Sequence, residues 1–347
     1  MSYLIREVTP QEFVEYFGEP SRDRLARFVL APVPFPRGFF FACREGNSTP
    51  VARIGVSKSV SMGKDANGRE EFGAAVGFFN GDTQAMGDLL RHVDHWSEAN
   101  GIAKIFGPMI YNTWFPYRAK MYDSQIDVKS NVRDAAIDYS WEPHQPRGDE
   151  KVWENHGYAI VETYATRALN GLKEFSERHT AALKYSTEQG YTAHSFSSLM
   201  SQPADRIRLL NDLFDLTMES FKDAYLFLPI SRDQFHQLYV AGLSEIKDLS
   251  MSFLIRSKEG KPAAFSFAFP EGRYVVIKTL AVGRDFRGQK LSNAAMALSC
   301  QAALSQGLDK MIHALMRRGN LSESFGGKSE ILWEHHYALF AKEPKSR

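Results

Sequence analysis

The chain has 347 residues, enough for two domains or one unusually large one, with ample length to bury a core. Forty-two Lys plus Arg against 41 Asp plus Glu give a formal net charge of +1, which leaves no basic excess for a nucleic-acid backbone or an anionic membrane. Two cysteines, Cys43 and Cys300, far apart in sequence, make neither a disulfide framework nor a zinc cluster, Arg6 and Glu7 stand where a secretory signal needs an apolar run, and no uncharged apolar stretch approaches the roughly 18 residues of a membrane span. These features lead us to expect a soluble, cytoplasmic protein.

From the N-terminus, a mixed segment at 11–28 precedes apolar runs at 38–43 and 51–57, joined by the turn-rich Glu45-Gly46-Asn47-Ser48, which reads as a hairpin. A third run follows at 74–79. Asp82 can cap a helix through about Glu98, with Met86, Leu89, Leu90, Val93 and Trp96 at helical spacing and Gly101 beyond its end. Residues 102–106 read as a short buried strand. The stretch 111–147 is broken by Pro116, Pro143 and Pro146, and loops of that length are commonly functional. A strand-like run at 159–165 then gives way to a polar stretch. The second half repeats the plan, with a helix at 206–221, a hairpin at 251–269 turning at Glu259-Gly260-Lys261, a strand at 274–282, a helix and a strand. The join is expected within 166–176, giving a first domain of residues 1–168 and a second of 169–347.

The run from Val275 through Val282, Gly283-Arg284-Asp285-Phe286-Arg287-Gly288-Gln289-Lys290-Leu291-Ser292 and onward to Leu298 reads as a strand, a compact glycine-containing loop and the start of an apolar-striped helix. The first turn of such a helix has N–H groups without internal partners. With the helix dipole and the charges of Arg287 and Lys290, these make an anion site suited to a pyrophosphate. A plain strand-to-helix turn has the same spacing.

This run resembles the GNAT superfamily of N-acetyltransferases, whose motif is Arg or Gln, two residues, Gly, one residue, then Gly or Ala. Here Lys290 stands at the position of the motif glycine and Ser292 at that of the Gly or Ala. Downstream, residues 312–316, Asn320-Leu321-Ser322 and 333–340 resemble the following strand, the asparagine-bearing loop and the last strand, so the resemblance covers about 191–343. In the first half, Trp153-Glu154-Asn155-His156-Gly157-Tyr158 resembles the family's closing helix and Gly-aromatic signature, but Asn80-Gly81-Asp82-Thr83 is acidic where the phosphate loop is basic. Residues 107–109 and 112–118 are similar to a group of two-domain bacterial proteins, the YghO-like proteins.

The resemblance implies an α/β fold with a mixed sheet, built as two tandem GNAT-like acyl-CoA N-acyltransferase domains, the N-terminal one degenerate. It implies acetyl-CoA or another acyl-CoA as co-substrate and no metal. The donor site would comprise Leu280, Ala281, Val282, Arg287, Gly288, Gln289, Lys290, Leu291 and Ser292, with backbone N–H groups near 280–282 polarising the thioester carbonyl. The family's usual tyrosine is missing between Asn320 and Trp333. Tyr337 is the substitute catalytic acid, and Asn320 and Ser322 are placed to contact the pantetheine arm. Asn112, Trp114, Tyr117 and Arg118 form an acceptor pocket or an ordinary inter-domain contact. Arg118 suits the carboxylate of an amino-acid-like amine.

Other groups have two readings each. His92, Asp94 and His95 hold a metal or form a solvated helix face. His313 is a base near the strand opening or a core histidine. His335 and His336 alternate across a strand and cannot share a site. No nucleophile elbow surrounds Ser195, which disfavours a serine hydrolase. The leading expectation is acyl transfer to a small-molecule amine or amino acid. An acyl carrier protein or aminoacyl-tRNA as donor, or a ligand-binding protein without catalysis, are the alternatives.

Overall fold

The computed structural model describes residues 3–16, 28–30, 33–65, 67–122, 126–127, 137–143, 145, 148–320, 323 and 331–344. In the first half, β1 (Tyr3–Glu7) and α1 (Pro10–Glu15) precede the hairpin β2 (Arg37–Arg44) and β3 (Pro50–Lys64). Next come β4 (Glu70–Gly81), α2 (Thr83–Ala99), β5 (Ile105–Gly107), the two-residue strands β6 (Ala119–Lys120) and β7 (Ile126–Asp127), α3 (Asp149–Asn155) and β8 (Ala159–Leu169). The second half opens with α4 (Leu172–Glu188), β9 (Thr192–Ser195), α5 (Phe196–Met200), α6 (Pro203–Phe221) and α7 (Arg232–Ser244). It continues with β10 (Phe253–Arg256), β11 (Pro262–Glu271), β12 (Tyr274–Val282), a 3-10 turn (Arg284–Phe286), α8 (Leu291–Ser305), β13 (Lys310–Arg317) and β14 (Ile331–Lys342).

One mixed sheet runs through the molecule in the order β1-β2-β3-β4-β5-β14-β8-β13-β12-β11-β10-β9, with β6 and β7 paired to β14. The order is nearly symmetric about its centre. β4 with β5 and β12 with β13 are the parallel pairs, in equivalent places, and the other described pairs are antiparallel. The closing strands are exchanged: β8, the last strand of the first half, pairs with β13, while β14 pairs with β5. The expected join falls at the end of β8, but the sheet has no break there.

Alternation along β11 divides the core of the second half. Phe265, Phe267 and Phe269 pack with Leu209, Leu213 and Phe235 of α6 and α7, whereas Ala264 and Ala268 face the α8 side with Ala295 and Met296. α4 packs on α8 over that second face. In the first half, Met86, Leu89, Leu90 and Val93 of α2 cover Phe40, Ile54 and Val76. The sequence-predicted cap is present, since the Asp82 carboxylate accepts the Gln84 N–H at 2.9 Å. His92 lies against the Phe40 ring and Asp94 is bonded to Lys342 at 2.8 Å, so α2 does not gather its three polar residues into one ligand set. No helix among the described residues is long and apolar enough to cross a membrane.

Candidate active site at a fork between two strands

β12 and β13 pair in parallel from Tyr274 with Lys310 to Ile277 with His313, and there the register ends. Both strands bulge at this level. Against β11, Thr279 is opposite Phe267 and Ile277 is opposite Ala268, which leaves Lys278 as the extra residue. Against β8, His313 is opposite Arg167 and Met316 is opposite Ala165, so Ala314 and Leu315 share one partner position. Leu315 takes a left-handed φ of +54°, held by its N–H on the Thr166 hydroxyl at 3.0 Å. The parallel pairing ends at the level of both bulges, and a gap opens between the strands beyond it. Beyond Ile277, β12 is bonded to β11 and has no strand on its other side among the described residues.

The fork leads into a cleft of about 1800 Å³ lined from both halves. Lys278, Thr279, Leu280, His313, Met316 and Asn320 form its floor, with α6, α7 and the 112–118 loop around it. Of the expected site residues, Leu280, Asn320, Asn112, Trp114, Tyr117 and Arg118 line this cleft, and Ala281, Val282 and residues 287–292 lie past its end. Ser322 falls outside the described residues.

The loop after β12 has the expected shape for an anion site. Gly288 takes a φ of +80°, and a Cβ there would meet nothing within 4 Å. Lys290, at the position of the motif glycine, adopts a left-handed φ of +58° itself and caps α8, with its ammonium 5.6 Å from the Tyr185 ring centre. The first-turn N–H groups of Leu291, Ser292 and Asn293 have no i−4 carbonyl within the helix. Gln289 accepts the Tyr191 hydroxyl, and Arg287 is exposed. The open space and free donors fit a phosphate group.

The equivalent fork in the first half is shut. β4 and β5 pair only at Ala74 with Ile105 and Ala75 with Phe106, after which the Met109 N–H donates to the Val76 carbonyl at 2.7 Å. Gly77 permits this, because a Cβ there would come within 2.5 Å of the Met109 carbonyl oxygen. Phe78, Ile110, Tyr111 and Phe115 fill the space beyond. The Asp82 carboxylate already accepts an N–H at the start of α2, and its negative charge there works against a second anion.

Residues 112–118 cross from the first half to the second. Asn112 is buried, and its side chain holds the turn by accepting the Trp114 N–H at 3.0 Å. The Trp114 indole donates to the Leu228 carbonyl at 2.7 Å and packs on Phe227 and Phe235. Arg118 lies between two rings, 4.0 Å from the centre of Tyr117 and 3.8 Å from that of Tyr164. Its Nε makes no hydrogen bond among the described residues. Neither Arg118 nor Lys278 has a carboxylate partner among those residues. Burial, reinforced by Arg118, lowers the Lys278 ammonium to about 7. His313 is buried beside them; burial and then Arg167 lower it to about 4, so its imidazole is neutral at pH 7.

Tyr337 is elsewhere. It is buried on β14 outside the cleft lining, and its hydroxyl donates to Glu142, whose carboxylate is also 3.1 Å from Lys120 and 2.8 Å from His335 Nδ1. Burial raises its phenol well above the ordinary value. Asp138, Glu142 and His335 place three ligand atoms within 4.8 Å of one another, but the Lys120 ammonium, 2.6 Å from Asp138, already supplies the cation between the carboxylates. His336 turns to Glu334, 2.7 Å away, so the two histidines do have separate partners.

Sequence reading did not single out Lys278, Tyr164 or Met316. A signal for Lys278 was present, since it is the one charged residue in the otherwise apolar run 274–282.

Residues 210–321, which span α6 to the end of the fork, match the family model described as Acetyltransferase (GNAT) family. Over those residues the chain is similar to a GNAT domain. Among solved structures, a tandem GNAT protein from the clavulanic acid biosynthesis pathway covers 100% of this chain over 100% of its own, with 10% identity and a TM-score of 0.53. A probable N-acyltransferase of unknown function from Enterococcus faecalis V583 covers 99% of this chain and 73% of its own, with 8% identity and a TM-score of 0.57. A GCN5-related N-acetyltransferase from Kribbella flavida covers 99% and 72%, with 12% identity and a TM-score of 0.52. At these identities the likeness is one of fold, and it runs over both halves. No curated protein matches the chain in sequence.

Proposed function

We propose that the chain is an N-acyltransferase that moves an acyl group from a CoA thioester to the amine of a small molecule or amino acid by direct attack. The observation that carries this reading is the contrast between the forks: the second is open and adjoins a helix start with free N–H groups, while the first is closed by its own chain. In this reading the pyrophosphate sits at the start of α8, and the pantetheine arm passes between β12 and β13. Unpaired backbone N–H groups of β12 polarise the thioester carbonyl. Arg118, fixed between its two tyrosines, takes the acceptor's carboxylate. Its charge also disfavours the acceptor's ammonium form, so the amine is presented neutral. The amine attacks the carbonyl carbon, the C–S bond breaks and the thiolate leaves.

The cleft exceeds the volume typical of small-ligand pockets, about 300–1000 Å³, and Phe35, Phe72, Phe78, Phe115, Phe221 and Phe227 line it. That room favours an acyl chain or acceptor larger than acetyl and glycine. The test is release of CoA thiol from acetyl-CoA and from longer acyl-CoAs, with panels of amino acids and of polyamines. Release stimulated by carboxylate-bearing amines supports the reading. Absence of amine-dependent release from every donor in both panels would overturn it.

A further inference from the structure

Lys278 occupies an unusual place for a lysine. It is the bulge residue of β12, one position past the last pair with β13 and two before Leu280, and its side chain lines the cleft at the mouth of the fork. Apolar Ile277 and Leu280 stand close to it along the strand, and the neighbouring charge is another cation, Arg118. Exposed lysines such as Lys173 and Lys184 instead stand near glutamates, Glu177 and Glu188, in water. A half-buried ammonium beside a guanidinium and with no carboxylate partner among the described residues is poorly stabilised, and the neutral amine is the form such a place favours.

We propose that Lys278 is itself an acyl acceptor: when no amine substrate is bound, its Nζ takes the acyl group of the donor thioester and becomes an Nε-acyl-lysine. The inference rests on the fork being the donor site. In the reaction, the Nζ lone pair forms a bond to the thioester carbonyl carbon. The C–S bond breaks with its electron pair going to sulfur, and the proton released from nitrogen goes to the thiolate. Atoms and charge balance without a further reactant. The product is an uncharged amide at the fork, which removes one of the two cations and fills the place where an acceptor amine must stand. A bound carboxylate-bearing acceptor works against it, by holding Lys278 protonated and by excluding it from the thioester.

The charged and titratable groups that share the cleft with Lys278 are Arg118 and Tyr117 of the crossing loop, Tyr164 of β8, His313 and Arg317 of β13, and Glu142, with Arg53, Lys58, Tyr225, Tyr239 and Glu245 on other parts of the wall. Arg317 is paired with Glu162 at 2.6 Å and His313 is neutral near pH 7, so Arg118 is the charge that acts on Lys278. Self-acylation follows the neutral fraction of an amine titrating near 7 and rises roughly tenfold between about pH 6 and about pH 8.

The experiment incubates the full chain with acetyl-CoA and no amine, then maps acetyl-lysines by mass spectrometry, alongside calorimetry of acetyl-CoA binding. The expected result is one acetyl group at Lys278, formed faster than at Lys173 or Lys184, with the stated pH dependence, and lost in Lys278→Arg. Mapping of the unaltered protein decides the matter even if the variant does not fold. If acetyl-CoA binds and Lys278 stays unmodified, or is modified no faster than the surface lysines, the inference fails and the donor reading stands. If acetyl-CoA does not bind, both fail.

Discussion

Arg167 on β8 and Glu334 on β14 stand directly opposite one another and form an ion pair across the two exchanged strands. Glu334 also accepts hydrogen bonds from Arg318, just before Asn320 at the fork, and from His336. The pair therefore ties the closing strand of each half to the other and to one wall of the cleft.

This arrangement makes stability depend on acid. Burial alone raises the Glu334 carboxyl, but the hydrogen bonds from His336, Arg167 and Arg318 outweigh it and hold it at about 2, against an ordinary 4.5. The folded value is the lower one, so the contribution is complete above about pH 4.5 and is lost as pH falls toward 2. Glu334→Gln should lower stability at pH 7 by about 2–3 kcal/mol and flatten the loss between about pH 4.5 and 2. Denaturant titrations at several pH values measure both. An unchanged acid limb would assign the effect to other carboxylates.

Gly77→Ala should strain the closed fork, since its Cβ would lie 2.5 Å from the Met109 carbonyl oxygen. Backbone rather than a flexible side chain must move, and the expected destabilisation is about 1–3 kcal/mol. Thermal melts check this. A variant as stable as the parent would mean that the Met109 segment is not packed as described.

The parts of this fold set by local chemistry were legible in the residues. The Asp82 cap, the turn at Gly260 and the strand at 274–282 each follow from spacing within a dozen residues. The exchange of β8 and β14 was not, because it rests on pairings such as Arg167 with Glu334 that join residues far apart in sequence, and no local spacing names a strand's partner. The site divides the same way. Gly288 and Lys290 were placed by a motif, whereas the opening of the fork depends on two bulges and on Thr166 meeting Leu315, contacts far apart in sequence. Tyr337 was chosen for its position on the last strand; its engagement by Glu142, some two hundred residues earlier, has no local signal.

Arg118 and Trp114 should separate cleanly by substitution. Arg118→Ala is expected to raise the acceptor KM with acetyl-CoA affinity and fold intact, because the guanidinium has no carboxylate partner among the described residues. Trp114→Phe removes the hydrogen bond to Leu228; that bond contributes about 1 kcal/mol, so the variant should lose stability with little change in kinetics. Steady-state kinetics paired with melting temperatures distinguish them. Equal acceptor KM in Arg118→Ala and the parent would remove Arg118 from the acceptor site.

Arg287→Glu places a carboxylate beside the free N–H groups at the start of α8. It should weaken acetyl-CoA binding by about 1.5–3 kcal/mol while leaving the melting temperature near that of the parent, since Arg287 is exposed. Unchanged affinity in the folded variant would move the pyrophosphate away from this loop.

The central claim is that one fork of the two accepts an acyl donor, and calorimetric titration of the full chain with acetyl-CoA tests it most directly. The account predicts saturable binding at one site per chain, weakened in Arg287→Glu and unaffected by Asp82→Ala at the corresponding helix start of the closed half. Two sites per chain, or no binding at all, would contradict it.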